Sequence, residues 1–208
     1  MIKNIVFDMG GVLLSYDPDL VLDNNNILDE SDREFMKKEV FGSLEWQEYD
    51  RGTVTKDSFN RFVDIAPGHL KSFIRRLLID ECFGEMQMPV FEWMDEFIGQ
   101  LKAAGYKIYL LSNAGQDFYQ YSKKITALRH FDGKFVSSDY KLLKPEKEIY
   151  EKFLEVFDLV PEECVFIDDV QRNIDAAVEC GMYGICYTSQ NSDSSELRTE
   201  LEKAGVKF

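Results

Sequence analysis

Four short stretches of this 208-residue sequence hold side chains that could do chemistry together: Asp8 followed by Gly10 and Gly11, Ser112-Asn113, Lys144 before Pro145, and Asp168-Asp169. Three of them end an apolar run. Ile2, Ile5, Val6 and Phe7 lead to Asp8, Ile108 to Leu111 lead to Ser112, and Cys164 to Ile167 lead to Asp168. Such runs read as buried strands of a parallel sheet. The carboxyl ends of parallel strands lie on one edge, where α/β sheets bind ligands. The two glycines let the backbone approach whatever Asp8 touches.

Three carboxylates, one ammonium and one hydroxyl therefore converge. Carboxylates this close repel one another, and burial raises their pKa values unless a cation intervenes. Lys144 brings one positive charge. A hard divalent cation would bring the rest, and Mg²⁺ binds through one or two carboxylates plus substrate phosphate. The chemistry that uses such a set is phosphoryl transfer. Asp8 would be the nucleophile, Mg²⁺ would neutralise phosphate oxygens, and Ser112 and Lys144 would hold the others. Taken singly, each stretch has a plainer reading. Asp8 could start a turn, Lys144 could be solvated, and Ser112-Asn113 or Asp168-Asp169 could cap helices.

The elements that must position these groups alternate. After the first strand, residues 18–88 are helical in pattern with no convincing strand. Ser31-Asp32-Arg33-Glu34 has the form of a capping box for a helix through Val40. Ser43 caps a helix carrying Trp46 and Tyr49 and ended by Gly52, and Thr55 caps one carrying Phe59, Phe62 and Val63. Leu70, Phe73, Ile74, Leu77 and Leu78 make an amphipathic face. Val90, Trp93, Met94, Phe97, Ile98 and Leu101 recur at helical spacing before Gly105. Lys107–Leu111, Lys134–Ser137, Glu163–Ile167 and Gly184–Tyr187 read as further strands. Helices are expected over 118–126, from Pro145 at its first position to Phe157, through Cys180, and over 194–204. The pattern predicts a doubly wound α/β parallel sheet from residues 1–16 and 89–208, with a small helical cap, residues 17–88, inserted above the strand ends.

Bulk numbers narrow the partners. A chain with 45% hydrophobic residues can bury a real core. Its net charge of −14 offers no basic surplus for a phosphate backbone or an anionic membrane, so neither nucleic acid nor membrane is expected. No apolar run approaches a membrane span, and the amino terminus enters a strand at once, which reads as leaving no room for a signal peptide. Cys82, Cys164, Cys180 and Cys186 form no close metal-binding pair and read as reduced core residues of a cytoplasmic protein. The two histidines are too few for a histidine metal site.

At this point the motifs are recognisable. The chain resembles the haloacid dehalogenase-like hydrolase superfamily over its whole length. The resemblance rests on Phe7-Asp8-Met9-Gly10-Gly11-Val12, Leu111-Ser112-Asn113, Lys144-Pro145, and Ile167-Asp168-Asp169 with Asn173. With Asp50-Arg51-Gly52 in the cap, it is similar to helical-cap members of the bacterial α-D-glucose-1-phosphatase-like kind. The resemblance implies a Mg²⁺-dependent phosphomonoester hydrolase with an aspartyl-phosphate on Asp8. It implies Asp8, the Gly10 carbonyl, Asp169 and Asp168 around the metal, and Ser112 and Lys144 on phosphate. Asn113, Gly10, Gly11, Asn173 and Arg51 would be further phosphate or substrate contacts. The partner implied is a small phosphorylated metabolite such as a sugar phosphate, bound by a monomer or homodimer.

One position departs from the pattern. Most phosphatases of the superfamily carry a second Asp two residues after the nucleophile as acid and base, and here that residue is Gly10. Such a group is typically worth about 10²–10⁴-fold. Either the leaving group needs little protonation, or a water or another group such as the cap residue Asp50 takes over, or the protein binds phosphorylated ligands without turnover. Carbon–halogen hydrolysis is a further alternative, which would leave Asp168-Asp169 unexplained. A phosphonate hydrolase would want a cap lysine, and nothing singles out Lys37, Lys38, Lys56 or Lys71.

Overall fold

The computed structural model describes residues 1–81, 83, 87–188 and 193–208; Cys82 and Met86 lie outside them. Five strands form one parallel sheet: β1 (Asn4–Phe7), β2 (Lys107–Ser112), β3 (Gly133–Val136), β4 (Cys164–Asp168) and β5 (Tyr183–Cys186). Their order is β3-β2-β1-β4-β5. The chain therefore builds outward from β1 to β3, then returns to the other side of β1 for β4. Phe7 pairs with Leu110 on one side and Ile167 on the other, so Asp8 and Asp168 end up on neighbouring strand ends where the order reverses. Ligands of open α/β sheets bind at such reversals.

The strands look uniformly apolar because both of their faces are covered. Ile5, Phe7, Val165 and Ile167 face one core with Met94, Phe97, Ile98 and Leu101 of α6 (Trp93–Ala103) and Leu197 and Leu201 of α9 (Ser195–Lys203). Val6, Leu111 and Phe166 face a second core with Ile149, Tyr150 and Phe153 of α7 (Lys147–Phe157) and Ile174 and Ala177 of α8 (Gln171–Glu179). Alternation with period two feeds both layers, and the fold is the expected doubly wound α/β sheet.

Between β1 and α6 the chain forms α1 (Pro18–Asn24), α2 (Glu30–Phe35), α3 (Leu44–Arg51), α4 (Asn60–Ile65) and α5 (Lys71–Arg75). Wider π-type turns extend α2 over Met36–Phe41 and α5 over Arg76–Asp80. The two passages of chain that flank this helical stretch run side by side, with the Ser15 N–H donating to Pro89 O at 2.8 Å and the Phe91 N–H to Leu13 O at 3.0 Å. Ser43 and Thr55 cap as their sequence contexts predict, and Gly52 takes the left-handed conformation at φ 76°.

Several expectations are corrected. The second cap helix is opened by Asp29, whose carboxylate accepts from the Ser31 and Asp32 N–H groups, so Ser31 lies inside the helix. A carboxylate two residues upstream also meets the positive end of the helix, which a serine hydroxyl cannot do. Val90 lies outside α6 and bridges to Leu14. Residues 118–126 break into a short α-turn and 3₁₀ turns. Pro145 precedes α7 by two residues, because the backbone of Lys144 is held in place by Asn113 before the helix can begin. Ser137, expected at the end of β3, starts a helical turn instead. Of the cysteines described, only Cys164 is buried; Cys186 is exposed because β5 is an edge strand with one open flank.

The end of α3 seats closely on the core. A Cβ on Gly52 would stand 2.5 Å from Ser138 O, and one on Gly115 would overlap the Tyr49 ring. Gly52 also has a left-handed backbone, which costs an L-residue about 1–2 kcal/mol. Gly52→Ala is expected to lower Tm by roughly 4–8 °C, taking about 2 kcal/mol and the usual slope for a chain of this size. Thermal unfolding followed by circular dichroism measures it; an unchanged Tm would mean that α3 does not seat on Ser138.

Candidate active site

Lys144 is the centre of the site. Its Nζ lies 2.8 Å from Asp8 Oδ1 and 2.6 Å from Asp168 Oδ2, and its side chain is 1% exposed. The Phe166 ring lies under the ammonium, 5.2 Å from centroid to Nζ. Two strands and one loop bring the three residues together. Asp8 follows β1, with its N–H donating to Ile167 O at 2.8 Å, and Asp168 ends β4. Asn113, just after β2, fixes the loop: its Nδ2 donates to Lys144 O at 3.0 Å and its Oδ1 accepts from Lys144 N at 2.9 Å.

Asp168 is fully engaged. Besides Lys144 it accepts from Asn173 Nδ2 at 3.0 and 3.1 Å and from Val170 N at 2.8 Å. Tyr150 in turn donates to Asn173 O at 2.8 Å. Asp169 points differently. It lies on the cavity wall, and a Cβ on Gly11 would collide with its carboxylate. Gly11 is thus needed where Asp169 crosses it. One ligand atom each from Asp8, Asp168 and Asp169 fall within 4.8 Å of one another.

Burial governs the charges. Desolvation pushes the Asp8 carboxyl up; Lys144 opposes that, while Asp168 and Asp169 add to it. Desolvation with Asp168 beside it pushes Asp169 up to about 6. Burial works against the Lys144 charge, but Asp168 and Asp8 outweigh it, so its pKa stands above the ordinary lysine value. One ammonium faces three carboxylates. An oxygen-donor set with that surplus suits a hard divalent cation.

Asp8, Lys144 and Asp169 form the floor of a cavity of ≈ 510 Å³. Its upper wall comes from Tyr16 and the cap, with Tyr16, Phe41, Trp46, Phe59 and Phe83 packed edge to face and face to face, and with Asp50 and Lys56 beside them. Trp46 and Tyr49 are at once cap core and cavity wall. Two expected contacts are placed otherwise. Ser112 is 1% exposed, its hydroxyl 3.5 Å from Asn113 O, with the wall formed by the next residues, Asn113, Ala114 and Gly115. The Arg51 guanidinium does reach the cavity rim, but it is held by both oxygens of Glu146 at 2.6 and 2.8 Å and by Glu48 at 3.2 Å. That pair ties the cap to the loop bearing Lys144.

Sequence reasoning missed Glu146, Asp117 and Ser137. Asp117 pairs with Lys56 at 3.4 Å, and the Ser137 hydroxyl donates to Asp50 O at 2.6 Å. Their partners lie in the cap, dozens of residues earlier, so no local spacing points to them.

Comparison with known proteins follows the same lines. A family model described as haloacid dehalogenase-like hydrolase matches residues 2–181. The sesquiterpene phosphatase astK of Aspergillus oryzae is 28% identical over 197 residues, 94% of this chain and 95% of that protein. The D-ribitol-5-phosphate phosphatase of Bacteroides thetaiotaomicron is 26% identical over 215 residues, 97% of each. Among solved structures, a mutant of a haloacid dehalogenase-family enzyme of B. thetaiotaomicron, in complex with magnesium and inorganic phosphate, superposes with a TM-score of 0.72. It is 21% identical, and the match covers 95% of this chain and 99% of that one.

Lys144→Met removes the one cation from two buried carboxylates. Breaking such a pair typically costs about 3–5 kcal/mol. Asp8, already raised by burial, then loses the ammonium that opposes the rise. A carboxyl raised in the folded state stabilises fully below its unfolded pKa and loses that contribution as pH rises through the folded one. With the wild-type Asp8 carboxyl raised to about 8 and that of Lys144→Met higher still, the Tm gap between the two should hold steady from pH 5 to pH 7 and widen as pH rises through about 8 in thermal scans. A gap independent of pH would speak against the pairing.

Proposed function

The chain belongs to the haloacid dehalogenase-like hydrolase family, and we propose that it is a Mg²⁺-dependent phosphomonoester hydrolase working through an aspartyl-phosphate on Asp8. The observation that carries this reading is the Asp8 carboxylate, 11% exposed on the floor of the cavity and 2.8 Å from a buried ammonium. A nucleophilic carboxylate needs an unhindered oxygen and a countercharge that steadies it without blocking it.

The residues present fit the metal. Asp8, the Gly10 carbonyl and Asp169 would hold Mg²⁺, which supplies Lewis-acid neutralisation of phosphate oxygens when bound. Asp168 faces away toward Lys144, Asn173 and the Val170 N–H and acts from behind as an anchor. Lys144 keeps its charge and faces Asp8 on the cavity floor, so it steadies both nucleophile and phosphate. Asn113 and the first N–H groups after β2 are the remaining phosphate contacts of the reading, with Ser112 buried just behind them.

Asp8 attacks phosphorus in line. The Oδ–P bond forms as the bond to the organic oxygen breaks, and water then cleaves the aspartyl-phosphate to return Asp8 and inorganic phosphate. The cap, residues 17–88, closes the cavity and keeps bulk water from the intermediate. The substrate is a small phosphorylated metabolite. Sugar phosphates remain candidates, and the aromatic wall also receives an apolar organic group. A terpenoid and a sugar alcohol phosphate, the substrate types in the relatives' names, therefore both enter the panel. Carbon–halogen hydrolysis is disfavoured, since it would leave the Asp169 charge beside Asp8 without a use.

The test is phosphate release from p-nitrophenyl phosphate, α-glucose-1-phosphate, ribitol-5-phosphate and a prenyl monophosphate, with Mg²⁺ or with EDTA. Release should need Mg²⁺ and fall to background in Asp8→Asn. Release at the wild-type rate in that variant, or halide release from a 2-haloacid without Mg²⁺, would overturn the reading.

A further inference from the structure

We propose that Asp50, at the end of α3 in the cap, carries the proton taken by the leaving oxygen and so replaces the carboxylate that position 10 lacks. This rests on the phosphatase reading of Asp8 and adds to it the group that handles the proton.

Three observations lead there. First, position 10 opens onto the cavity. A Cβ built on Gly10 meets only Tyr16 Cβ, at an ordinary 3.5 Å, so the space a side chain would fill stays free. Second, Asp50 lines the same cavity as Asp8, on the wall contributed by the cap. It is anchored to the core on both its backbone and its side chain. Ser137 Oγ donates to its carbonyl at 2.6 Å and also accepts from Ala114 N at 2.8 Å, while the Gly115 N–H donates to its carboxyl. Ala114 and Gly115 continue directly from Ser112-Asn113. The cap acid is thereby registered on the loop that borders the phosphate end of the site.

Third, the neighbouring groups leave the proton on Asp50. Asp117, also on the wall, pairs with Lys56 at 3.4 Å and accepts from the Tyr49 hydroxyl. Asp50 has no lysine or arginine partner among the described residues. Burial, with Asp117 beside it, pushes the Asp50 carboxyl up to about 7, against the Gly115 N–H. The other titratable groups facing it, Tyr16 and Tyr49, are pushed up by burial and stay neutral. An acid of this strength suits work near neutral pH.

The balance is simple. As the Asp8–phosphorus bond forms, the phosphorus–oxygen bond of the ester breaks, and the departing oxygen takes the Asp50 proton. In the second half, the Asp50 carboxylate takes a proton from water. The water oxygen bonds to phosphorus as the Asp8 oxygen leaves, and Asp50 is again neutral.

The experiment compares p-nitrophenyl phosphate, whose leaving group needs no proton, with n-butyl phosphate, whose leaving group does. Rapid-quench and steady-state rates are measured for wild type, Asp50→Asn, Asp50→Glu, Gly10→Asp and the double variant Asp50→Asn/Gly10→Asp. Asp50→Asn should slow butyl phosphate cleavage by roughly 10²–10⁴-fold, the usual worth of a positioned acid. Its burst of p-nitrophenolate should slow far less, and phosphoenzyme should accumulate. The double variant should regain butyl phosphate hydrolysis, and Asp50→Glu should keep part of it. Equal loss on both esters in the first turnover seen by rapid quench, or none on the butyl ester, overturns the proposal. Should Asp50→Asn fail to fold, Asp50→Glu is judged by the same leaving-group ratio. Turnover that survives Asp8→Asn overturns the phosphatase reading, and this one with it. Turnover that needs Asp8 but ignores Asp50 overturns this one alone.

Discussion

The buried Lys144 ammonium is the constraint on which the rest of this structure depends. Taking it out of water is costly, and its attraction to Asp8 and Asp168 offsets that cost only if the geometry is held closely. The chain spends much of its architecture on that geometry. The parallel register of β1 and β4 sets the two carboxylates side by side. Asn113 clamps the Lys144 backbone from the end of β2, and Asn173 on α8 saturates the far side of Asp168. One charge thus recruits three strands, a loop and a helix, and what it leaves facing the cavity is Asp8.

A second constraint follows from the first. The floor that holds Asp8 is covered by a roof, and the roof is sequence-distant. Cap and core meet through contacts that tolerate little change: Gly52 against Ser138, Gly115 against the Tyr49 ring, the Arg51–Glu146 pair, and the Lys141 ammonium on Gly52 O. The Arg51–Glu146 pair is partly exposed, so its worth lies in orientation more than in stability. It links the cap to the residue two places after Lys144, so cap seating and the buried lysine share a support.

The cavity then holds carboxylates in two regimes. Around Lys144 a surplus of negative charge calls for a divalent cation. Around Asp50 the nearby Lys56 is paired with Asp117, no cation among the described residues pairs with Asp50 itself, and burial favours its neutral form. A single pocket that places a metal-seeking cluster opposite a proton-holding acid has the two resources that phosphoester cleavage draws on, stabilisation of the phosphate oxygens and protonation of the departing one.

The sequence alone determined the scaffold and the floor of the site. Strand runs ending in Asp8, Ser112 and Asp168 are local patterns, because period and chain direction decide where their ends must lie. Gly52 and Gly105 closed their helices as read, since a left-handed residue after a helix is a local matter. Boundaries drifted where two local signals competed, as when Asp29 displaced Ser31 as the cap and Asn113 held Lys144-Pro145 out of α7. Only the tertiary structure decided that Arg51 grips Glu146, that Asp168 faces inward while Asp169 faces the cavity, and that Asp50 meets Asp117. Those outcomes depend on contacts between side chains as much as 95 residues apart. No periodicity encodes them; they follow from how closely the cap can approach the sheet.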